Sequence, residues 1–128
     1  MDHDVHHERL INELTEQLSP LFEKSTQGIY LYLDDVHKSC NKRFSNMLGY
    51  DSPDDWQKNE FPIGDVIEED QEKGIHAYVH ASEELTSSTI EARFTTKKGK
   101  TINTEVTFVP LPYKDEVFVL HFISPLTN

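Results

Sequence analysis

The sequence predicts an α+β fold: a five-stranded antiparallel sheet with helices on one face and an amphipathic helix at the N-terminus. Three observations carry this. Five stretches alternate with the two-residue period of strands. Two precede and three follow a block of helical pattern, an order that suits an antiparallel sheet. The last, "VFVLHFI", is apolar on both faces, so the sheet it belongs to is covered on both sides.

The leading segment, "HERLINELTEQL", places Leu10, Ile11, Leu14 and Leu18 on one side at helical pitch, with Glu8, Arg9, Glu13 and Glu16 off it. Ser19-Pro20 interrupts the pattern and fits an N-cap followed by the first residue of a second short helix. From Gly28, Ile29, Leu31 and Leu33 alternate with Tyr30 and Tyr32. Asp34-Asp35 turns the chain, and "VHKSC" returns as a more polar strand. Asn41 then caps a short helix whose apolar face is Phe44, Met47 and Leu48. Gly49 stands where a left-handed residue ends a helix.

Residues 51–70 are loop-rich; Ser52-Pro53 starts a helical turn, and Trp56 with Phe61 reads as its apolar anchor. "DQEKGIHAYVHASEEL" is a longer helix with Ile75, Tyr78, Val79 and Ser82 facing inward. Two strands follow, Ile90, Ala92 and Phe94 alternating on the first and Ile102, Thr104, Val106 and Phe108 on the second. "KKGK" joins them as a tight turn in which Gly99 takes positive φ. After "LPYKDE" the final strand sets Phe118, Leu120 and Phe122 on one face and Val117, Val119, His121 and Ile123 on the other.

A chain of 128 residues accommodates one domain and one core. The expected division is an amphipathic helix and cap over 1–24, the domain over 25–124 and a tail over 125–128. A net charge of −11 repels nucleic acid and anionic lipid, so neither is an expected partner. No apolar run is long enough for a membrane span, and the charged start "MDHDVHHERL" lacks the core of a signal peptide. The single Cys40 forms no internal disulfide, and a cytoplasmic location is expected.

The run of Gly28, Ile29, Asp34, Asn41, Phe44, Leu48, Gly49 and Tyr50, with the "KKGK" hairpin, resembles the PAS domain family over roughly residues 25–124. The resemblance implies a sensory and interaction module of signalling proteins. Its sheet curls around the helices, and it commonly carries an extra N-terminal helix. Many relatives end in Asp-Ile-Thr, which couples to a following effector; this chain ends in "FISPLTN", so coupling to a fused kinase or cyclase is not expected.

On this reading the enclosed volume is lined by Leu31, Leu33, Phe44, Met47, Leu48, Tyr78, Phe94, Thr104, Val106, Phe108, Phe118 and Leu120. It is either a packed core or a pocket for an apolar small molecule. No cofactor is expected. The Cys of flavin-binding relatives stands in an Asn-Cys-Arg-Phe motif in mid-domain, unlike Cys40 at a strand end. Haem is the alternative, with His76 and His80 as candidate ligands, although both lie on the flank of their helix. His3, His6 and His7 with Asp2, Asp4 and Glu8 read as a frayed terminus with adventitious metal affinity, so no metal site is expected. An enzyme of the cone-shaped isomerase type would need an inward carboxylate; only Tyr78 and Thr104 are polar on the expected inner faces, and no nucleophilic or phosphate-binding motif is present. Catalysis is therefore not expected. A homodimer is expected through Leu10, Leu14, Leu18, Tyr30, Tyr32, Val119 and Ile123, with a signalling protein such as a kinase or regulator as a further partner.

Overall fold

A computed structural model describes residues 3–126, with the side chain of His3 excepted. Asp2, named above with the N-terminal histidines, and the last two residues of the tail lie outside the described residues. The helices are α1 (His3–Gln17), α2 (Ser19–Lys24), α3 (Lys42–Leu48), α4 (Pro53–Gln57) and α5 (Glu68–Glu84). The strands are β1 (Gly28–Tyr32), β2 (Lys38–Cys40), β3 (Ser88–Thr95), β4 (Thr101–Tyr113) and β5 (Glu116–Pro125). They form one sheet in the order β2-β1-β5-β4-β3, with every neighbouring pair antiparallel. The predicted fold class is the observed one.

Local chemistry explains most boundaries. Asn41 caps α3, its side chain accepting from the Phe44 amide, and Gly49 ends that helix at φ 86°. Gly99 has the same positive φ in the β3–β4 turn. Ser52 caps α4 by accepting from Asp55. Ser19 does not act as a cap: Leu18 still donates to Leu14 and Phe22 to Leu18, so the chain stays helical across the junction. The second strand is shorter than expected, because the Asp34 carboxylate accepts from the amides of Val36 and His37 and holds them in a turn. Phe61 is exposed and rests over Gly64, whereas Trp56 is buried as predicted.

Two apolar clusters cover the two faces of the sheet. On the inner face α3, α4 and α5 pack over Ala92, Phe94, Val106, Phe108, Val119 and Ile123. On the outer face Leu10, Ile11 and Leu14 of α1 pack over Ile29, Leu31, Phe118 and Leu120. This reverses the expected facing of β1 and β5. Leu31, Leu33, Phe118 and Leu120 belong to the outer layer, and Tyr30, Tyr32, Val119 and Ile123 to the inner one. The expected faces of β3 and β4 are correct.

The cause is the β4–β5 hairpin. Tyr113 pairs with Glu116 across a two-residue turn, so Phe108 lies opposite His121 and Val106 opposite Ile123. Because side chains alternate strictly, that register puts every odd-numbered residue from Val119 to Ile123 on the same face as Phe108. Tyr30 pairs with His121 on β1 and follows it inward.

The outer stripe that was expected to build a dimer is thus occupied within one chain. Leu10 and Leu14 are 1% and 4% exposed, and Leu18 packs at the edge of the same cluster. The N-terminus is not frayed from residue 4 onward: His6 bonds Asp115, His7 bonds Glu116, and His37 bonds Asp4.

Candidate functional site

The inner face of the sheet and α5 enclose a cavity of about 350 Å3. Two polar ties hold α5 over it. Near its start, buried Asp70 accepts from the Arg93 amide at 2.8 Å and from the Arg93 guanidinium at 3.0 and 3.1 Å. The Arg93 hydrogen bonds hold that carboxyl at a pKa of about 2. In mid-helix the Tyr78 hydroxyl donates to the Leu33 carbonyl at 3.1 Å, reaching the end of β1. Ala77 and Ala81 are buried in the inner cluster; of the expected inner face, Tyr78 and Val79 line the cavity, and Ile75 lines its edge while half exposed.

The floor is aromatic. Tyr30 stacks on His121 with ring centroids 3.8 Å apart and planes within 15°, and Phe108 meets the same imidazole edge-on at 4.7 Å. Tyr32 stands edge-on to Tyr78 at 5.2 Å. Phe94, Val106, Ile90 and Ala92 form the wall on β3 and β4, and Ile63 and Val66 close the side.

The polar groups of the cavity are few and defined. Burial pushes the His121 imidazole down to a pKa of about 3, so the ring is neutral. Its Nδ1 lies 3.2 Å from the Val119 carbonyl, which can only accept, so Nδ1 carries the proton; the Tyr30 backbone makes a further hydrogen bond with the ring. Burial raises the Tyr30 and Tyr32 hydroxyls far above their ordinary value, with a hydrogen bond to Asp35 adding to the effect at Tyr32. The Asp35 carboxylate, exposed at the cavity mouth, accepts that Tyr32 bond.

Of the residues expected in the pocket, Tyr78, Phe94, Val106 and Phe108 line the cavity. Phe44, Met47 and Leu48 pack in the same apolar cluster without lining it. Thr104 is fully buried and donates to the Ala92 carbonyl. Leu31, Leu33, Phe118 and Leu120 lie under α1 instead. Pro62, Ile63, Val66 and Gly74 were missed by sequence reasoning, as were the polar and aromatic lining residues Tyr30, Tyr32, Asp35 and His121. The signal that could have found them is "YKDE": read as a two-residue hairpin, it sets the face of His121. His76 and His80 are exposed, and neither is a lining residue of the cavity. A wider concavity of about 910 Å3 between α2 and α3 is bordered mainly by polar side chains such as Glu23, Lys42 and Arg43.

A five-stranded antiparallel sheet with an apolar cavity under a long helix defines the architecture. Residues 26–127 match the family model of the PAS domain, and the chain belongs to that family. No curated protein sequence matches it. Solved structures do. The PAS domain of a two-component sensor histidine kinase is 15% identical, with a TM-score of 0.67, covering 90% of this chain and 99% of its own. The PAS domain of an HTR-like protein from Haloarcula marismortui is 21% identical at TM-score 0.63, covering 94% and 98%. The PAS domain of the fruit-fly ELK potassium channel is 17% identical at 0.66, covering 88% and 97%. These likenesses concern the fold. Among the described residues no helix is long and apolar enough to cross a membrane.

Proposed function

We propose that this PAS module is a sensor whose cavity takes one small, planar, largely apolar molecule carrying a hydrogen-bond donor. The observation that supports it is the cavity itself. Its volume of about 350 Å3 falls in the range of small-molecule sites, roughly 300–1,000 Å3. Its lining is apolar and aromatic, with polar groups confined to His121, the tyrosines and Asp35. A flat ring suits the Tyr30–His121 stack, and a donor suits the neutral imidazole of His121, which lines the cavity. A large macrocycle does not suit a space of this size.

Signal reception rather than catalysis fits the same groups. The imidazole is neutral and stacked, and the carboxylate at the mouth is engaged by Tyr32. The reading includes a signalling protein as the recipient, since domains of this shape occur in a sensor histidine kinase. A reducing cytoplasm fits the lone buried Cys40, whose thiol burial pushes up to about 12.

Native mass spectrometry of freshly purified protein tests for a copurified ligand. Indole serves as the probe, its binding followed by backbone amide shifts. Shifts are expected around Tyr30, Tyr78 and Ala92. Ala92→Leu, which fills the cavity, should weaken the probe at least tenfold while the fold is kept. Shifts outside the cavity, or affinity unchanged in Ala92→Leu, would overturn the assignment.

A further inference from the structure

Away from the cavity, one corner of the molecule collects groups that the apolar packing does not need. His7 projects from α1, Asp34 and His37 from the β1–β2 connection, and Glu116 from the start of β5. Asp34 is the centre. Its Oδ1 is fixed by the amides of Val36 and His37, at 2.9 and 2.8 Å. His37 is buried, with Nδ1 2.8 Å from Oδ1 and 3.0 Å from Oδ2 of Asp34. His7 Nδ1 lies 3.9 Å from Oδ2 of the same carboxylate. The two imidazole rings are 5.5 Å apart and nearly perpendicular.

The far nitrogens are equally ordered. His7 Nε2 is 2.9 Å from Glu116, and His37 Nε2 is 2.9 Å from Asp4. Each ring thus turns Nδ1 toward a shared carboxylate and gives Nε2 to a separate outer one. Metal-bound histidines are held in this manner, because the outer carboxylate fixes the proton on the far nitrogen and leaves the near lone pair for the ion. One ligand atom each from His7, Asp34 and His37 lies within 4.8 Å of the others.

We propose that His7 Nδ1, His37 Nδ1 and the Asp34 carboxylate bind one divalent transition-metal ion, with Glu116 and Asp4 as the outer partners. Two imidazoles and a carboxylate suit Zn2+, with water as fourth ligand. Ligand atoms at about 2 Å from a tetrahedral ion are about 3.3 Å apart, so the 3.9 Å His7–Asp34 separation closes, the 2.8 Å His37–Asp34 contact opens, and the proton between His37 Nδ1 and Asp34 is released to solvent as the ion takes its place. Three carboxylates around two imidazoles also supply the negative field a cation needs. The ion would tie α1, which covers the outer face of the sheet, to the β1–β2 turn. Binding only to the folded chain therefore raises its apparent stability.

The full chain, stripped with EDTA and dialysed, is titrated with ZnCl2 by calorimetry and with CoCl2 by visible absorption. One Zn2+ per chain, a raised melting temperature and the strong visible bands of four-coordinate Co2+ are expected. His37→Gln and Asp34→Asn should each lower Zn2+ affinity at least 100-fold, and Glu116→Gln about tenfold. His7→Gln, on the exposed side of the core, serves as the ligand variant if His37→Gln fails to fold. Combined His3→Gln and His6→Gln should leave binding unchanged. Absence of Zn2+ binding overturns the proposal. So does binding that survives His7→Gln and Asp34→Asn but disappears with the His3 and His6 substitutions, which would mark adventitious chelation by the terminus.

Discussion

Asn41→Ala should be far more damaging than the loss of a helix cap. The Asn41 side chain makes four hydrogen bonds and is 3% exposed. Its Oδ1 accepts from the Phe44 amide at 3.0 Å, which is the cap, and from the Ile29 amide, also at 3.0 Å. Its Nδ2 donates to the carbonyls of Phe22 at 3.2 Å and Gln27 at 3.1 Å. The cap alone is worth about 1 kcal/mol. Ile29 is fully buried, and an orphaned buried amide costs about 1–3 kcal/mol. With the two carbonyls left short of a donor, the expected loss is about 3–4 kcal/mol, a large part of the roughly 5–15 kcal/mol that stabilises a domain. Asn41→Asp keeps the acceptor and loses the donor, so it should fall between alanine and wild type. Urea unfolding followed by circular dichroism and by the fluorescence of buried Trp56 measures both, with the midpoint shifting at constant slope. A loss of only about 1 kcal/mol in Asn41→Ala would refute the reasoning and leave Asn41 as a simple cap.

Two further outcomes follow from the sheet faces. The folded His121 pKa of about 3 lies below its ordinary value of 6.5, so the unfolded chain binds a proton there that the folded chain refuses. Stability should therefore fall as pH drops from about 6.5 toward 3, and His121→Phe should remove up to about 1.4 kcal/mol per pH unit from that slope. An unchanged slope in urea titrations across this range would place His121 in a solvated site. Leu14→Glu puts a charge beneath α1, where Leu14 is buried against the chain's own sheet. It should lower the melting temperature and loosen α1, seen as faster amide exchange in residues 8–17; a stable chain that only changes its sedimentation coefficient would instead locate α1 between two copies.

The elements of this protein were legible because their signals are local. Asn41 and Gly49 bound α3 by cap chemistry, Gly99 marks its turn by a φ that other residues avoid, and the stripe of Leu10, Leu14 and Leu18 needs only helical pitch. The family resemblance rested on the same residues, and the family model covers nearly the same span. The cavity was only partly legible. Phe94, Val106 and Phe108 alternate with polar neighbours, so their inward face is written into β3 and β4. β1 and β5 are apolar on both faces, and there the alternation carries no direction.

What the sequence by itself determined was therefore the set of helices and strands, their order and the α+β class. Tertiary structure alone decided which face of β1 and β5 looks inward, because the two-residue turn at Lys114–Asp115 sets the pairing and a slip of one residue would exchange the faces. It alone put His121 on Tyr30 in the cavity floor, and it alone gathered His7, Asp34, His37 and Glu116 from three parts of the chain. Such meetings depend on where α1 docks, and docking is a property of the whole outer apolar face rather than of any segment that can be read alone.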